Sequence, residues 1–542
     1  MKYLKKYIIL ILFVAVSSCS DFLDTAPLDA LSPSTTWKNE NDAQKFAIGC
    51  YDGWEDGEII LYLDCNTDFG YNNFEWENYK TIANGTMSPS GNVKDFYDYN
   101  IIRRCNTFLE KVQDISFADE QVRTDLIGQI RTIRAYRYFV MNWWYGGIPI
   151  IDNYSTADEA KVPRKTEAEV IAFVNSELDA AIEELNAAPA ERGRIAKGVA
   201  MAIRMRSALY YNDFQKAKEM SEAIIGLDQY SLESDYNNLF TVSGQGSKEI
   251  IAAVQYVNVT KTLYAIGQMY NNADGGWSSI VPTQNLVNTY EMKDGLTKEE
   301  SSLYDPVHPF ANRDPRMGMT ILYPGMDWRG GIINTLDKTV DGAANVNYPP
   351  SANNASKTAL TWRKYLDPMD QYTGGIFASN ACPIVIRYAE VLLTYAEAAN
   401  ELAGPSADIY DKLDEVRMRV GMPTVDRSKY GTKETLRQII RRERSVEFAG
   451  EGVRRPDIMR WKDSNGDMLA ETVLNQTLER VVGTINYSET NPTKRAVIDV
   501  NASESDKKIE DRVFSTFNRY NPIPQAAIDN NPKLEQNEGY VN

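Results

Sequence analysis

The segment 195–225 constrains the fold most, because its helical pattern is apolar on two faces. One face carries Ala196, Val199, Ala200, Ile203 and Tyr210, and another carries Met201, Ala202, Met205 and Ala208. A helix that is apolar on both sides must be covered on both sides, so it is expected inside a stack of helices. A turn at Asn212-Asp213 and a second amphipathic helix then complete a helical hairpin.

The same helix–turn–helix pattern recurs at 388–420, and it begins again at 130–145, which leads into a helix at 167–185. Glycine and proline end the first helix of each pair, at Gly404-Pro405 and at Gly146-Gly147. An array of helical pairs can reach the length of this chain without splitting into domains. We therefore predict a mainly α fold built on tetratricopeptide-like helical hairpins. Ordinary hairpins of an irregular all-α domain are the alternative.

Two segments between the helical blocks, 64–100 and 257–381, are rich in Gly, Asn, Asp, Tyr and Trp and show no sustained period. They predict long loops, and 249–257 predicts a short strand beside them. Long loops in a compact protein are usually functional. The predicted organisation is a helical region at 19–240 and a C-terminal region at 241–542, which contains the loop-rich insertion 257–381, packed as one globular unit.

The N-terminus has the pattern of a targeting signal. Lys2, Lys5 and Lys6 precede an apolar run at 7–16 that is too short to cross a bilayer. The following Val16-Ser17-Ser18-Cys19 is similar to the site that lipoprotein signal peptidase cleaves. We predict that 1–18 is a lipoprotein signal peptide and that Cys19 is acylated and anchors the chain to a membrane. An ordinary secretory signal with an incidental cysteine is the alternative.

Charge and histidine content exclude several classes of site. The formal net charge of −17, without a basic run, argues against nucleic-acid binding. His308 is the one histidine, which excludes multi-histidine metal sites within the chain and leaves little for a Ser/His/Asp mechanism. We predict no metal site and no cofactor. A structural Ca²⁺ is compatible with the loop acids but is not indicated, because no D-x-[DN]-x-[DN]-G run is present.

The C-terminal block resembles a signature of the SusD/RagB family: IIRRERSVEF at 439–448 is followed by EGVRRPDIMRW at 451–461. Further segments look like family landmarks in the family's order: 19–24, 134–149, 313–317, 387–393 and 523–540. Together they cover the chain from end to end.

This resemblance implies a lipid-anchored outer-membrane protein on the cell surface that captures oligosaccharide. It also implies a SusC-like TonB-dependent transporter as the partner that imports the glycan. On this basis we predict a glycan-binding protein and not an enzyme. A surface glycoside hydrolase, and a SusD-like protein that binds peptide or another nutrient, are the alternatives.

Two carboxylates in the signature, Glu443 and Glu447, share a helical face with apolar residues. Buried carboxylates need partners. We expect structural salt bridges to the arginines that follow the 450–452 turn, namely Arg454, Arg455 and Arg460. A glycosidase-like pair of carboxylates is the alternative.

The tryptophans divide by context. Those in or beside helical patterns are predicted to be core residues: Trp37, Trp143, Trp144 and Trp461. Those in the loops can offer a flat face to the C–H face of a sugar, while nearby amides and acids bind its hydroxyl groups. The predicted ligand-binding residues are Trp76, Trp277, Trp328, Tyr71, Asp68, Asn72 and Asn73. Local packing within the loops is the alternative for each tryptophan, and no catalytic residue is predicted.

Overall fold

The structure is a computed structural model that describes residues 37–91, 93–152, 154, 156–350, 353–367, 372 and 374–540. The predicted signal peptide, Cys19 and the landmark at 19–24 lie outside these residues, so their roles stay predictions.

Helices dominate the described part of the chain. In chain order they are α1 Glu40–Cys50, α2 Gly57–Tyr62, α3 Lys80–Asn84, α4 Asn100–Lys111, α5 Glu120–Tyr145, α6 Glu167–Glu184, α7 Lys197–Tyr210, α8 Phe214–Gly226, α9 Ala265–Met269, α10 Gln284–Thr289, α11 Pro315–Thr320, α12 Tyr388–Ala403, α13 Ala407–Met418, α14 Lys433–Glu447, α15 Arg454–Arg460, α16 Leu469–Val473, α17 Pro492–Arg495, α18 Glu504–Lys507 and α19 Gln525–Asn530. None of these helices has both the length and the apolar composition needed to cross a bilayer.

The strands are short and pair two by two, always antiparallel among the described residues. They are β1 Gly70–Asn72, β2 Ile250–Ala253, β3 Ile280–Pro282, β4 Ile321–Leu322, β5 Asp327–Trp328, β6 Gly331–Ile332, β7 Thr339–Val340, β8 Ala343–Ala344, β9 Thr361–Trp362, β10 Ile384–Arg387, β11 Thr477–Glu479, β12 Gly483–Ile485, β13 Ala496–Ile498 and β14 Lys508–Asp511. The prediction of a mainly α fold with a few short strands is confirmed.

The long helices pack as the predicted hairpins. Helix α5 packs on α6, α7 on α8 and α12 on α13, while α8 also packs on α12. Every residue of α7 from Gly198 to Tyr210 is buried, as the two apolar faces predict. Arg206 of α7 binds both carboxylate oxygens of Glu390 in α12, at 2.8 and 2.6 Å, and so ties two hairpins together.

Local signals set the helix ends. Helix α6 begins at a capping box, in which Thr166 and Glu169 each accept the other's backbone N–H. Helix α5 ends at Gly146, which has a φ of 66°. A Cβ at this glycine would lie 2.7 Å from the Tyr520 ring, so the stop needs glycine for both its backbone and its close contact.

One hydrophobic core runs from Ala43 in α1 to Tyr540 near the C-terminus. Trp143 and Trp144 belong to it, and the partly buried Trp37 packs against it. Trp461 is also buried, as predicted, although it lies outside this cluster. Residues from both halves of the chain therefore share one core.

Candidate functional site

Strand pairing brings the early loop and the mid-chain loop together. Strand β1 pairs with β3, with Asn72 opposite Ile280, and the Asn73 N–H donates to the Ser279 carbonyl at 2.8 Å. The Ser279 N–H in turn donates to the carbonyl of Gln268, in α9, at 2.7 Å. Backbone hydrogen bonds between β1 and β3 therefore hold the two segments predicted to bind ligand side by side.

Trp76 is the most exposed aromatic side chain on this surface, with 64% of its area open to solvent. It lies in a single 3₁₀ turn, Glu75–Glu77, which ends at Asn78 with a φ of 68°. Its indole stacks on the buried ring of Phe74, with ring centroids 4.2 Å apart and planes 26° apart. A supported ring with an open face is a suitable platform for a flat ligand.

Glu77 holds this turn in place. Its carboxylate accepts hydrogen bonds from the Tyr62 hydroxyl at 2.9 Å, from Gln268 Nε2 at 3.0 Å and from Asn72 Nδ2. Burial raises the pKa of Glu77, although the hydrogen bonds from Asn72 and Tyr62 act against this shift. The turn that carries Trp76 is therefore bonded to α9 and to β1.

Trp277 belongs to a second aromatic group, the Trp277 cluster, formed with Tyr264 and Phe377. Trp277 is half-buried; its ring centroid lies 5.7 Å from that of Tyr264 and 5.2 Å from that of Phe377. Tyr264 is 44% exposed. The Trp277 N–H donates to the carbonyl of Gly267, next to Gln268, so α9 connects this cluster to the Trp76 turn.

Sequence reasoning missed Tyr264 and Phe377. An isolated antiparallel bridge between Leu263 and Ser379 brings them beside Trp277. No local pattern marks either residue, because the contact joins segments more than a hundred residues apart. The one available signal was the glycine pair Gly374-Gly375, which precedes Phe377 in a loop.

Trp328 does not lie on the surface as expected. The β5–β6 hairpin folds it over the loop at 271–276, where it is 7% exposed and its Nε1 donates to Asp274 Oδ2 at 2.8 Å. In this conformation its indole packs the loop and offers no open face.

The remaining four predicted residues are also buried: Asp68, Tyr71, Asn72 and Asn73. Asp68 accepts two hydrogen bonds from Arg454, at 2.8 and 2.9 Å, and Asn73 Nδ2 donates to the Ala355 carbonyl at 3.1 Å. In this conformation these four residues hold the loops in place, and direct ligand contact by them stays a prediction. Contact with a ligand through Trp76 and Trp277 stays a prediction.

The two signature carboxylates form buried ion pairs. Glu443 accepts hydrogen bonds from Arg316 and from Arg417, the latter at 2.9 Å. Glu447 accepts from Arg316 at 2.9 Å, from Arg387 at 2.6 Å and from Arg419. The structural interpretation of these carboxylates is confirmed.

The expected partners of these carboxylates were wrong. Arg454 binds Asp68, Arg455 donates to the backbone carbonyls of Asn66 and Asn518, and Arg460 binds Glu397 and Asp457. Of the actual partners, Arg316 lies in α11, Arg387 at the end of β10, Arg417 in α13 and Arg419 directly after it. All four side chains reach carboxylates of α14. Proximity along the chain favoured the nearer arginines, but tertiary packing decides which arginine reaches which carboxylate.

These partners fix the charge of Glu447. Burial by itself would raise its pKa, but Arg419, Arg387 and Arg316 outweigh burial and hold the pKa well below the ordinary value. A carboxylate that stays ionised and has its oxygens occupied by arginine is suited to holding helices together. It is unsuited to the proton transfer of a glycosidase acid.

His308 lies half-buried in its loop, with Nδ1 3.0 Å from the Ala496 carbonyl. This contact ties the loop to β13. Among the described residues no cluster of three or more His, Cys, Asp or Glu is arranged to hold a metal ion.

Comparison with known proteins decides the family. Residues 241–540 match the family model described as the SusD family, and residues 21–207 match a model described as "Starch-binding associating with outer membrane". The chain belongs to the SusD family. The signature at 439–461, and with it the buried ion pairs of Glu443 and Glu447, lies within the SusD-family match.

SusD-family relatives span nearly the whole chain. A SusD-like protein of Formosa agariphila is 26% identical over 85% of this chain and 92% of its own length. The starch-binding protein SusD of Bacteroides thetaiotaomicron is 23% identical over 99% of both chains. The crystal structure of a SusD-like carbohydrate binding protein from Bacteroides fragilis matches with a TM-score of 0.79 and 27% identity, over 92% of this chain and 100% of that one.

Proposed function

We propose that this SusD-family protein binds glycan at the cell surface and delivers it to a SusC-like TonB-dependent transporter. In this proposal the protein is tethered to the outer membrane by lipid on Cys19. The observation that carries glycan binding is the indole of Trp76, which is backed by Phe74 and open to solvent. The starch-binding and carbohydrate-binding relatives support the same ligand class.

The chemistry around Trp76 suits a sugar. Pyranose rings have an apolar face of C–H groups, which a flat indole covers while water is released. The Glu75 side chain beside it is 79% exposed, and Lys80 lies 3.1 Å from its carboxylate. These groups can bind hydroxyl groups at the rim of the ring.

Glycan binding is tested by calorimetric titration of a panel of oligosaccharides against the wild-type protein and Trp76→Ala. We expect Trp76→Ala to weaken binding by roughly five- to a hundredfold, since the stacking of a nucleobase on one aromatic side chain contributes about 1–3 kcal/mol. The double variant Trp76→Ala, Trp277→Ala should abolish binding. Thermal stability should change little in Trp76→Ala, because the ring removed is mostly exposed.

Tyr487→Ala is the matched control, because Tyr487 is another exposed aromatic residue, at 53%, outside the proposed surface. It should bind like the wild type. Unchanged affinity in the double variant would place the glycan elsewhere on the molecule.

Membrane tethering and transport need separate tests. We expect cells to incorporate a palmitate analogue into the wild-type protein but not into Cys19→Ala. We also expect a TonB-dependent barrel to co-purify with the tagged protein from outer membranes. If the wild-type protein is not labelled, the proposed lipid anchor is wrong. If no barrel co-purifies, the proposed transporter partner is wrong.

We propose further that the protein does not hydrolyse the glycan it binds. Incubation with each bound glycan should produce no new reducing ends. Production of reducing ends that persists in a highly purified sample would favour the glycoside hydrolase alternative. Binding of peptides, with no response to any glycan, would favour the other alternative.

A further inference from the structure

An apolar cavity of about 80 Å³ lies between α2, α5, α7, β10 and the segment that enters α15. None of the aromatic residues of the Trp76 turn or of the Trp277 cluster lines it. Most of its wall is aliphatic or aromatic, with Ile59, Phe139, Val140 and Trp143 among the lining residues. On this measure a single water molecule needs roughly 10–15 Å³, so the cavity can hold a small organic molecule.

Arg137 lines this cavity and is 7% exposed. No acceptor among the described residues hydrogen-bonds to its guanidinium, and its Nε is buried without a partner. Arg134, one turn earlier on α5, shows the usual arrangement, because it binds Glu177 with two nitrogens. A buried guanidinium without a hydrogen-bond acceptor is unfavourable. An acceptor from outside the described chain would therefore stabilise Arg137.

The other charged groups of the wall do not supply that partner. Arg206 is neutralised by Glu390, and Glu451 by Arg387 and Lys364. These pairs therefore contribute little net charge to the cavity.

The remaining charges leave an excess of positive charge. Glu55 accepts from the Tyr136 hydroxyl and from the Asp56 N–H. Burial raises the pKa of Glu55 and the charge of Arg137 acts against this shift, although the two side chains form no hydrogen-bonded ion pair. Arg455, also in the wall, donates to two backbone carbonyls and to no carboxylate of the described residues. Burial, reinforced by the nearby Arg519, lowers the pKa of Arg455 to about 9. Two guanidinium groups thus face one carboxylate, which leaves one positive charge in excess.

We propose that this cavity binds a small monocarboxylate with a short apolar tail, whose carboxylate pairs with Arg137 while the tail contacts Phe139, Val140 and Trp143. A simple inorganic anion would satisfy Arg137 but leave most of the apolar wall uncovered. A neutral apolar molecule would cover the wall but leave Arg137 unpaired. The two features together select an amphipathic anion.

The experiment uses the full mature chain with hexanoate as the probe, and with hexanol and acetate as matched controls for the tail and the charge. Calorimetry and thermal unfolding are measured at constant ionic strength. We expect hexanoate to bind at least tenfold more tightly than either control and to raise Tm, because a ligand that binds the native state stabilises it. Equal binding of acetate, equal binding of hexanol, or no binding of hexanoate would each overturn the proposal.

Two variants locate the site. Arg137→Leu should abolish the preference for hexanoate over hexanol, while Arg192→Leu, which changes an exposed arginine outside the cavity, should keep it. Val140→Phe, which fills the cavity from its half-exposed rim, should weaken hexanoate binding at least tenfold even if Arg137→Leu does not fold. Retention of hexanoate binding in Val140→Phe would overturn the proposed location.

Discussion

Trp76 and Trp328 have the same side chain but differ in what covers the indole. Phe74 supports one face of Trp76 and leaves the ring 64% exposed, whereas Trp328 is buried and uses its Nε1 to bind Asp274. Only an open ring can exchange its hydration water for a ligand without first moving the loop. At the scale of single residues, exposure therefore leaves Trp76 able to bind a ligand, whereas burial makes Trp328 a support for its own loop.

Replacement of Glu443 by glutamine should destabilise the protein strongly. The side chain is 1% exposed and bridges Arg316 and Arg417, so the amide would remove one buried negative charge from this network and place an N–H group against a guanidinium. Breaking a buried ion pair from one side costs about 3–5 kcal/mol. Chemical denaturation should show a loss of this size in the free energy of unfolding.

Glu434→Gln is the control for this loss, because Glu434 lies on the exposed face of the same helix. Its effect should stay within about 0.5 kcal/mol. A folded Glu443→Gln protein of unchanged stability would show that the ion pairs on α14 are dispensable.

Asp64 should make stability depend on pH near neutrality. Burial raises its pKa to about 7, although the hydrogen bond that one oxygen accepts from the Gly450 N–H acts against this shift; the other oxygen has no partner among the described residues. The folded state therefore keeps a proton that the unfolded state loses above about pH 4. The stabilising contribution is complete below pH 4 and falls as the pH rises through 7.

Asp64→Asn removes this titration. We expect the variant to be more stable than the wild type at pH 8, and its thermal stability to vary less between pH 5 and pH 8. The measurement is Tm across this range, with Asp52→Asn as the control at an exposed carboxylate. A pH profile that is identical in Asp64→Asn and the wild type would assign the titration to another group.

The sequence could identify which residue types matter here but not their partners. Glu443 and Glu447 were expected to be buried and paired, because carboxylates on an apolar helix face need a counter-charge. Their arginines come from separate elements, and no spacing in the sequence encodes that contact. Likewise, Tyr71 and Asn72 have the composition of a binding loop, but pairing of β1 with β3 places them inside.

At the scale of elements, the Trp76 turn owes its position to one carboxylate. Glu77 accepts hydrogen bonds from Tyr62, Asn72 and Gln268, which belong to three different elements. We expect Glu77→Ala to weaken glycan binding by about tenfold, because the turn must then be ordered when the ligand binds. Calorimetry should show the loss as a less favourable binding entropy.

Glu77 is a positioning residue in this argument, so rescue distinguishes it from a ligand contact. Glu77→Gln keeps an acceptor oxygen and should recover most of the affinity. Glu299→Ala, at an exposed glutamate outside the turn, should bind like the wild type. Full affinity in Glu77→Ala would show that the turn is held by other contacts.

Long helices were predictable because each carries its own pattern. Apolar spacing and the Gly146 stop are local signals, and they placed α6 to α8, α12, α13 and the end of α5 within a few residues, whereas α5 begins ten residues before the predicted start at 130. The two-residue strands at 321–362 carry no such pattern, since their pairing depends on segments distant in the chain. The sequence therefore predicted where the loops begin and end, but it did not predict which segments they contact.

At the scale of the whole molecule, polar contacts join the early segment to the C-terminal region. The Gly450 N–H donates to Asp64 at 2.6 Å, and Arg454 binds Asp68. Arg512 donates to the backbone carbonyls of Thr67 and Gly70. In each contact a buried ionisable side chain binds a group in the other half of the chain.

The two halves should consequently unfold together. Separating them would expose one shared core, break the buried ion pair of Asp68 with Arg454 and take two backbone acceptors from Arg512, so neither half is expected to be stable alone. Differential scanning calorimetry of the mature chain should show a single transition, whose calorimetric and van't Hoff enthalpies agree. A fragment that ends at residue 240 should lack cooperative unfolding. Two resolved transitions, or a fragment that melts cooperatively, would instead show that the boundary near residue 240 separates independent domains.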